Sequence, residues 1–303
     1  MADSRNIFSL WIGPTLGAWE QLCINSFLDS GYSFTLYTYG QVDGVPHGAG
    51  VKDAREVEPE SSIFRPESHG KTFSGFSNLF RYSALNKLQG VWVDLDVLCL
   101  RPLPVSDYLL GFETLGRVNG AVLSYPPGSP FGIFLESACR ERSQSDYRWG
   151  DLGPNLITEA VGRFDLWSRV HPVETFYPVH FRETWRLLEP KLGFPKRGRI
   201  QKASTLHLWK NVISRFGGPE PVPPSVADLL SRANGALREL TPGGAPENIL
   251  ARRMKKSLRK PSALLLFFAA LYVGSLFKNY RIHRFFWKLR QMLLNRGTIF
   301  RRD

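Results

Sequence analysis

The chain has 303 residues, 43% hydrophobic and 22% charged, which is enough for one large domain or two small ones and too apolar for a disordered chain. Its formal net charge of +12 is uneven, because residues 251–303 hold 14 Lys and Arg and one acid, whereas residues 1–250 hold 25 Lys and Arg and 26 acids. The body is therefore close to neutral, and the basic tail indicates a polyanionic partner. The three cysteines lack disulfide or metal-ligand spacing and are expected to be reduced, buried thiols.

Apolar runs predict a strand, a helix and a strand near the N-terminus. A buried strand over 6–13 precedes a helix over 16–31 and an alternating strand over 32–40. This order is typical of a right-handed βαβ unit with parallel strands, and so of an α/β fold. A helix over 76–90 and a strand over 91–100 continue the pattern.

The elements predicted beyond residue 100 are shorter. The pattern indicates a strand over 120–126, a helix over 131–142, a loop and helix over 149–164 and a short strand or loop over 204–211. The order of helices and strands remains that of an α/β domain.

Two acids, Asp94 and Asp96, interrupt the apolar run over 91–100. Alternation places residues i and i+2 on one face of a strand, and a strand that ended at Val93 would leave both acids at its carboxyl end, where open α/β sheets bind ligands. Paired carboxylates attract a hard divalent cation such as Mg²⁺ or Mn²⁺. Three interpretations are open at this point: metal ligands, an acid/base pair as in glycoside hydrolases, and solvated acids at a strand end.

The segment 76–103 resembles the DXD-containing sugar-binding region of glycosyltransferases. It is most similar to glycosyltransferase family 32, which includes bacterial capsule and lipopolysaccharide enzymes and eukaryotic α-1,4-galactosyltransferases. The residues in register with that pattern are Ser77, Arg81, Tyr82, Leu85, Gly90, Asp94 and Asp96. Weaker similarity at 10–14, 149–158 and 207–211 follows the order of motifs in the family. Asn78 stands where the family usually has Asp, which implies a changed sugar preference.

The resemblance implies a GT-A type nucleotide-sugar-binding fold with a mainly parallel central sheet over residues 1–245. It implies a metal-dependent, retaining transfer from a nucleotide-sugar, expected to be a UDP-sugar, to a glycan or lipid-linked glycan in polysaccharide or lipopolysaccharide synthesis. A membrane-bound protein that binds sugar nucleotides without catalysis is the alternative.

The family pattern also implies roles for individual residues. Asp94, Asp96 and Arg81 are the expected catalytic residues, and Mn²⁺ or Mg²⁺ is expected on Asp96, Asp94 and His207. The expected donor-binding residues are Trp11, Asn78, Arg81, Asp94 and Trp209. Asp151 is a candidate for the acceptor side, although a helix cap or a surface acid is the more ordinary role for such a residue.

The tail, residues 246–303, is predicted to be helical and membrane-associated. It follows linkers at 216–225 and 241–246 that flank a short helix over 225–240. Residues 262–277 are uncharged, but as a helix they would measure about 24 Å, which is short of a bilayer core of about 30 Å.

Residues 281–296 of the tail form a cationic amphipathic pattern suited to an anionic lipid surface. A helical hairpin packed on the body is the alternative, and a nucleic-acid partner fits the apolar run less well. The N-terminal residues show no signal or anchor pattern, so we expect a bacterial enzyme on the cytoplasmic face of the inner membrane.

Overall fold

The structure, a computed structural model, describes residues 5–65, 72–188, 199–200 and 202–214. Within these ranges, no helix has both the length and the apolar character needed to cross a membrane. The boundary predicted at residue 245 and the whole predicted tail lie outside the described residues, and they stay predictions. The same holds for the linkers at 216–225 and 241–246 and the helix over 225–240.

A seven-stranded sheet forms the centre of the fold. Its strands are Asn6–Trp11 (β1), Ser33–Thr38 (β2), Gly50–Asp53 (β3), Val91–Val93 (β4), Leu109–Thr114 (β6), Arg117–Ser124 (β7) and Val170–His171 (β8). The order is β3-β2-β1-β4-β7-β6-β8. The first four strands are parallel, β7 runs antiparallel to β4 and β6, and β8 runs parallel to β6. The predicted α/β fold with a mainly parallel central sheet is confirmed.

A second, two-stranded antiparallel sheet joins Val97–Cys99 (β5) to Thr205–His207 (β9). The pairing sets Val97 opposite His207, so it brings a late segment of the chain against the residues that follow β4.

Helices pack on the central sheet. They are Ala18–Asp29 (α1), Ser74–Lys87 (α2), Pro130–Arg142 (α3), Pro154–Arg163 (α4), Val173–Phe176 (α5) and Lys210–Ser214 (α6), with 3₁₀ turns at Ala54–Glu56, Glu60–Ser62, Trp167–Arg169 and Phe181–Leu188. Proline at the first position of α3 and α4 suits a helix start, because its missing N–H would have no partner in that turn.

Strand alternation divides the core into two clusters. Phe8 of β1 and Trp92 of β4 pack with α2, α3 and α4, whereas Ile7, Val91 and Val93 pack with α1 on the other face. Apolar residues face both sides because helices cover both sides of the parallel strands, which explains the near-continuous apolar runs in the sequence.

The predicted continuous strand over 91–100 is wrong. The chain leaves the central sheet after Val93, turns at Asp94, Leu95 and Asp96, and enters the second sheet as β5. The Val97 N–H donates to the Asp94 carbonyl at 3.0 Å and closes this turn. Carboxylates favour turns over the interior of a sheet, so the acids mark the point where the strand ends.

Other boundaries also differ from the predictions. The predicted helix over 76–90 spans 74–87, because Leu88 already has extended backbone angles. The strand predicted over 120–126 begins earlier, at Arg117, and β3 and β6 were not predicted. β6 carries an acid and a glycine, which hide its strand pattern.

The expectation of buried, reduced cysteines is confirmed. Cys23, Cys99 and Cys139 are all buried and free of disulfides. Burial raises the pKa of Cys99 to about 11 and that of Cys139 to about 12. These thiols therefore stay protonated near neutral pH and fill core space as small apolar groups.

Candidate functional site

A cavity of about 670 Å³ opens at the carboxyl ends of β1 and β4. Seven of the eight residues singled out in the sequence line it: Trp11, Asn78, Arg81, Asp94, Asp96, His207 and Trp209. They come from four separate parts of the chain, so the fold brings together residues that are far apart in the sequence. The position agrees with the general rule that open α/β sheets bind ligands beyond the carboxyl ends of their strands.

Asp94 is fixed by two donors from neighbouring elements. Its Oδ1 accepts from Arg81 Nη2 of α2 at 2.6 Å and from Trp92 Nε1 at 2.7 Å. The Arg81 guanidinium also lies over the Trp92 ring, 5.1 Å from its centroid. The second carboxylate oxygen of Asp94 makes neither contact, so it keeps capacity for a ligand in the cavity.

Asp96 is held by the segment that follows β9. Its Oδ1 lies 3.1 Å from His207 Nε2, and its Oδ2 accepts from the Lys210 backbone N–H at 2.9 Å. Burial disfavours the charged form of Asp96, but His207 and the hydrogen bond from Lys210 outweigh burial and hold the pKa of Asp96 below its usual range. Burial likewise disfavours the charged form of His207, but the Asp96 carboxylate outweighs it and raises the pKa of His207.

The donor set of this site fits a hard divalent cation. One ligand atom each from Asp94, Asp96 and His207 lies within 4.8 Å of the others, and among the described residues no other such group of three occurs. Two carboxylates and one imidazole suit Mn²⁺ or Mg²⁺. A bound cation would compete with the proton on His207, because an imidazole nitrogen ligates a metal only after it has lost its proton.

Aromatic rings form the walls next to these acids. Trp209 stacks on His207 with 3.9 Å between ring centroids and 29° between planes, and its Nε1 donates to the Val179 carbonyl at 2.9 Å. Trp209 has a φ of +56°, a strained backbone for a bulky residue and a feature often found at functional sites. Trp11, at the end of β1, has its buried Nε1 without a hydrogen-bond partner.

Asn78 and Asp151 are both engaged in local contacts. Asn78 donates from Nδ2 to the Ser74 carbonyl in its own helix at 2.8 Å. Asp151 accepts from the Arg148 backbone N–H and from Asn155 Nδ2, each at 2.9 Å, and it is not among the residues that line the cavity. Its carboxylate therefore organises the loop before α4, which is a structural role and not a contact inside the cavity.

Sequence reasoning missed other residues of the cavity, among them Glu20, Glu113, Trp149 and Lys210. Glu20 and Lys210 form an ion pair with 2.6 Å between Lys210 Nζ and Glu20 Oε1, across 190 positions of the chain. The apolar pattern around Glu20 would have drawn attention to it, because an acid on the buried face of a helix needs a partner. No local pattern identifies Lys210 as that partner.

We expect Lys210→Met to destabilise the protein by roughly 2 kcal/mol, because the buried Glu20 carboxylate would lose the cation that contacts it. The loss falls short of that for a fully buried pair, since the Lys210 side chain is 29% exposed and water screens it. Urea unfolding measures the change. The double variant Lys210→Met with Glu20→Gln should recover part of the loss. The control is Arg142→Met, which breaks an exposed ion pair with Glu159 and should cost less than about 1 kcal/mol. Equal losses of stability in Lys210→Met and Arg142→Met would contradict the prediction.

No model of a known protein family matches the chain. The chain is 26% identical over 156 residues to the human alpha-1,4-N-acetylglucosaminyltransferase, a match that covers 45% of this chain and 42% of that enzyme. It is 24% identical over 150 residues to the lactosylceramide 4-alpha-galactosyltransferase of Rattus norvegicus, covering 44% and 40%. The chain thus spans less than half of the length of these curated relatives.

A structural comparison pairs the chain with the PaToxG glycosyltransferase at a TM-score of 0.43 and 14% identity, over 79% of this chain and 87% of that one. The curated relatives confirm the resemblance predicted from the sequence, because both are α-1,4-glycosyltransferases.

Proposed function

We propose that the chain is a glycosyltransferase that moves a sugar from a nucleotide-sugar, most simply a UDP-sugar, to a glycan or glycolipid. The observation that carries this proposal is the group formed by Asp94, Asp96 and His207 inside a cavity large enough for a nucleotide-sugar. The similarity to curated α-1,4-glycosyltransferases supports it.

The protein's own residues have distinct parts in this proposal. Trp11 offers a flat ring for the base, and its unpartnered Nε1 offers a donor to the base or ribose. Arg81 places a fixed positive charge beside Asp94, where it contacts the diphosphate or the donor sugar. Trp209 keeps His207 in place by stacking and holds its own position through Val179.

A divalent cation on Asp94, Asp96 and His207 would neutralise the diphosphate and so make it a better leaving group. Asp96 is suited to hold it, because its carboxylate is already fixed by the Lys210 backbone N–H and kept ionised by its surroundings. The two carboxylates suit either Mn²⁺ or Mg²⁺. On the basis of the family resemblance, the proposal includes transfer with retention of the configuration at the anomeric carbon.

The acceptor belongs to the proposal as well. The rat relative is named for lactosylceramide, a glycolipid, which supports a glycan or lipid-linked glycan here. The basic tail supports a location at an anionic membrane surface, because residues 251–303 carry 14 Lys and Arg and an amphipathic pattern over 281–296. We therefore propose a peripheral position on the cytoplasmic face of a bacterial inner membrane, in polysaccharide or lipopolysaccharide synthesis.

A panel of UDP- and GDP-sugars, each tested with Mn²⁺ and with EDTA, tests the proposal. We expect release of the nucleoside diphosphate from one donor, dependent on metal. Metal-dependent binding of UDP with no turnover of any donor, in the presence of glycan acceptors, would instead favour a non-catalytic sugar-nucleotide-binding protein, a candidate motivated by Asn78 in place of the usual acid. The absence of both UDP binding and donor turnover would refute the proposed function.

A further inference from the structure

The cavity extends from the acids towards a second set of side chains on β6, β7 and the loop before α4. Glu113 of β6, Arg117 of β7, and Tyr147 and Trp149 of the loop line this part, which we call the β6–β7 end. None of these residues has a part in the donor site proposed above. The β6–β7 end is therefore available for a second substrate.

Glu113 is buried, with 3% of its surface exposed, and it is tied to the turn that carries Asp94. Asn119 donates from Nδ2 to Glu113 Oε2 at 2.7 Å and accepts from the Ala121 N–H at 2.7 Å. The Ala121 carbonyl accepts from the Asp94 N–H at 2.8 Å. This chain of hydrogen bonds fixes the Glu113 carboxylate relative to Asp94, as a substrate-binding group next to a reaction centre requires.

The second oxygen of Glu113 keeps acceptor capacity for a ligand in the cavity. Its Oε1 lies 3.9 Å from Arg117 Nη1, which is an ion-pair distance but too long for a hydrogen bond. A carboxylate has about four acceptor positions, so Glu113 can accept further hydrogen bonds from a ligand in the cavity. Sugar hydroxyls are donors of the required kind.

Trp149 provides an apolar face at the same end. Its side chain is 51% exposed although it lines the cavity. The next residue, Gly150, has a φ of +93°, and a Cβ there would lie 3.0 Å from Arg117 Nη2, so the loop that carries Trp149 closely approaches Arg117, the residue that pairs with Glu113. A half-exposed indole and a fixed carboxylate that line the same cavity offer a sugar both an apolar face and a polar contact.

We propose that the β6–β7 end binds a pyranose ring of the acceptor. Trp149 stacks on the apolar face of the ring, and Glu113 accepts a hydrogen bond from one of its hydroxyls. This inference rests on the proposed glycosyltransferase function, and it replaces Asp151 by its near neighbour Trp149 as the acceptor contact in this loop.

The test compares wild type, Trp149→Ala, Trp149→Phe and Glu113→Gln, with Ile133→Ala as the control because Ile133 is an exposed apolar residue that does not line the cavity. The acceptor probes are the p-nitrophenyl β-glycosides of galactose, glucose and N-acetylglucosamine. Three readouts are taken: binding of each glycoside by saturation-transfer NMR, KM for the acceptor, and KM for the donor in acceptor-free hydrolysis. Trp149 is half exposed, so its truncation is compatible with folding.

We expect Trp149→Ala to raise the acceptor KM by about tenfold and to weaken glycoside binding to a similar extent, with a much smaller change in the donor KM. Trp149→Phe should keep most of the affinity, and Glu113→Gln should weaken the preferred glycoside more than the others. The proposal is overturned if Trp149→Ala behaves like Ile133→Ala, if donor and acceptor KM rise together, or if wild type binds none of the glycosides. Glycoside binding without donor hydrolysis would support this site and count against the proposed function.

Discussion

Asp96→Asn is expected to lower metal-dependent donor turnover by about 10³-fold, comparable to the loss of a main electrostatic contact in other enzymes. The substitution keeps the shape of the side chain and removes its charge. Asn has one acceptor oxygen and one NH₂ group, so it cannot accept from both His207 Nε2 and the Lys210 N–H, which Asp96 contacts at 3.1 and 2.9 Å. Weaker metal binding should accompany the loss of turnover.

The measurement is nucleoside diphosphate release with Mn²⁺, together with Mn²⁺ binding by electron paramagnetic resonance. Asp29→Asn is the matched control, because Asp29 is an exposed acid at the end of α1 and should leave both values within about twofold of wild type. Turnover in Asp96→Asn close to that of the control would refute the proposed part of Asp96. Lost turnover with normal Mn²⁺ binding would separate catalysis from metal binding and remove Asp96 from the ligand set.

The sequence allowed the α/β class and the first half of the sheet to be predicted, because this half is built from local units. The strand over 6–13, the helix over 16–31 and the strand over 32–40 correspond to β1, α1 and β2 of the structure. Each has a clear apolar period and a short connection. The antiparallel half was harder to predict, since β6 holds Gly111 and Glu113 and its pairing with β7 contains register shifts.

The candidate site was predictable where its residues share a short motif or match the family pattern. Asp94 and Asp96 stood out because acids are unexpected in an apolar run, and the structure shows that they lie on a turn. Glu113, Asn119 and Lys210 were missed, since each depends on contacts between segments distant in sequence. Such contacts leave no period or spacing in the chain, and only the three-dimensional fold defines them.

Gly120→Ala is expected to lower donor turnover by 10- to 100-fold and stability by roughly 1–3 kcal/mol, because β7 approaches Arg81 at this glycine. A Cβ on Gly120 would lie 2.5 Å from Arg81 Nη1 and 2.6 Å from Ile157 Cδ1. Both neighbours are buried and cannot move freely, and Arg81 is held at 2.6 Å by Asp94. The added methyl group must therefore displace Arg81, Ile157 or the strand itself.

Gly40→Ala is the matched control for this substitution, since a Cβ at Gly40 meets nothing within 4 Å and its backbone suits alanine. Urea unfolding and donor turnover are measured for both variants. If displacement of Arg81 is the cause, turnover in Gly120→Ala falls by more than the small unfolded fraction explains. The donor KM then also rises, because the proposed contact between Arg81 and the donor is lost. Equal stability and turnover in the two alanine variants would show that Arg81 tolerates movement. The part proposed for Arg81 in donor binding would then be wrong. A loss of stability with normal turnover in the folded fraction would place the strain on Ile157 and leave Arg81 outside the chemistry.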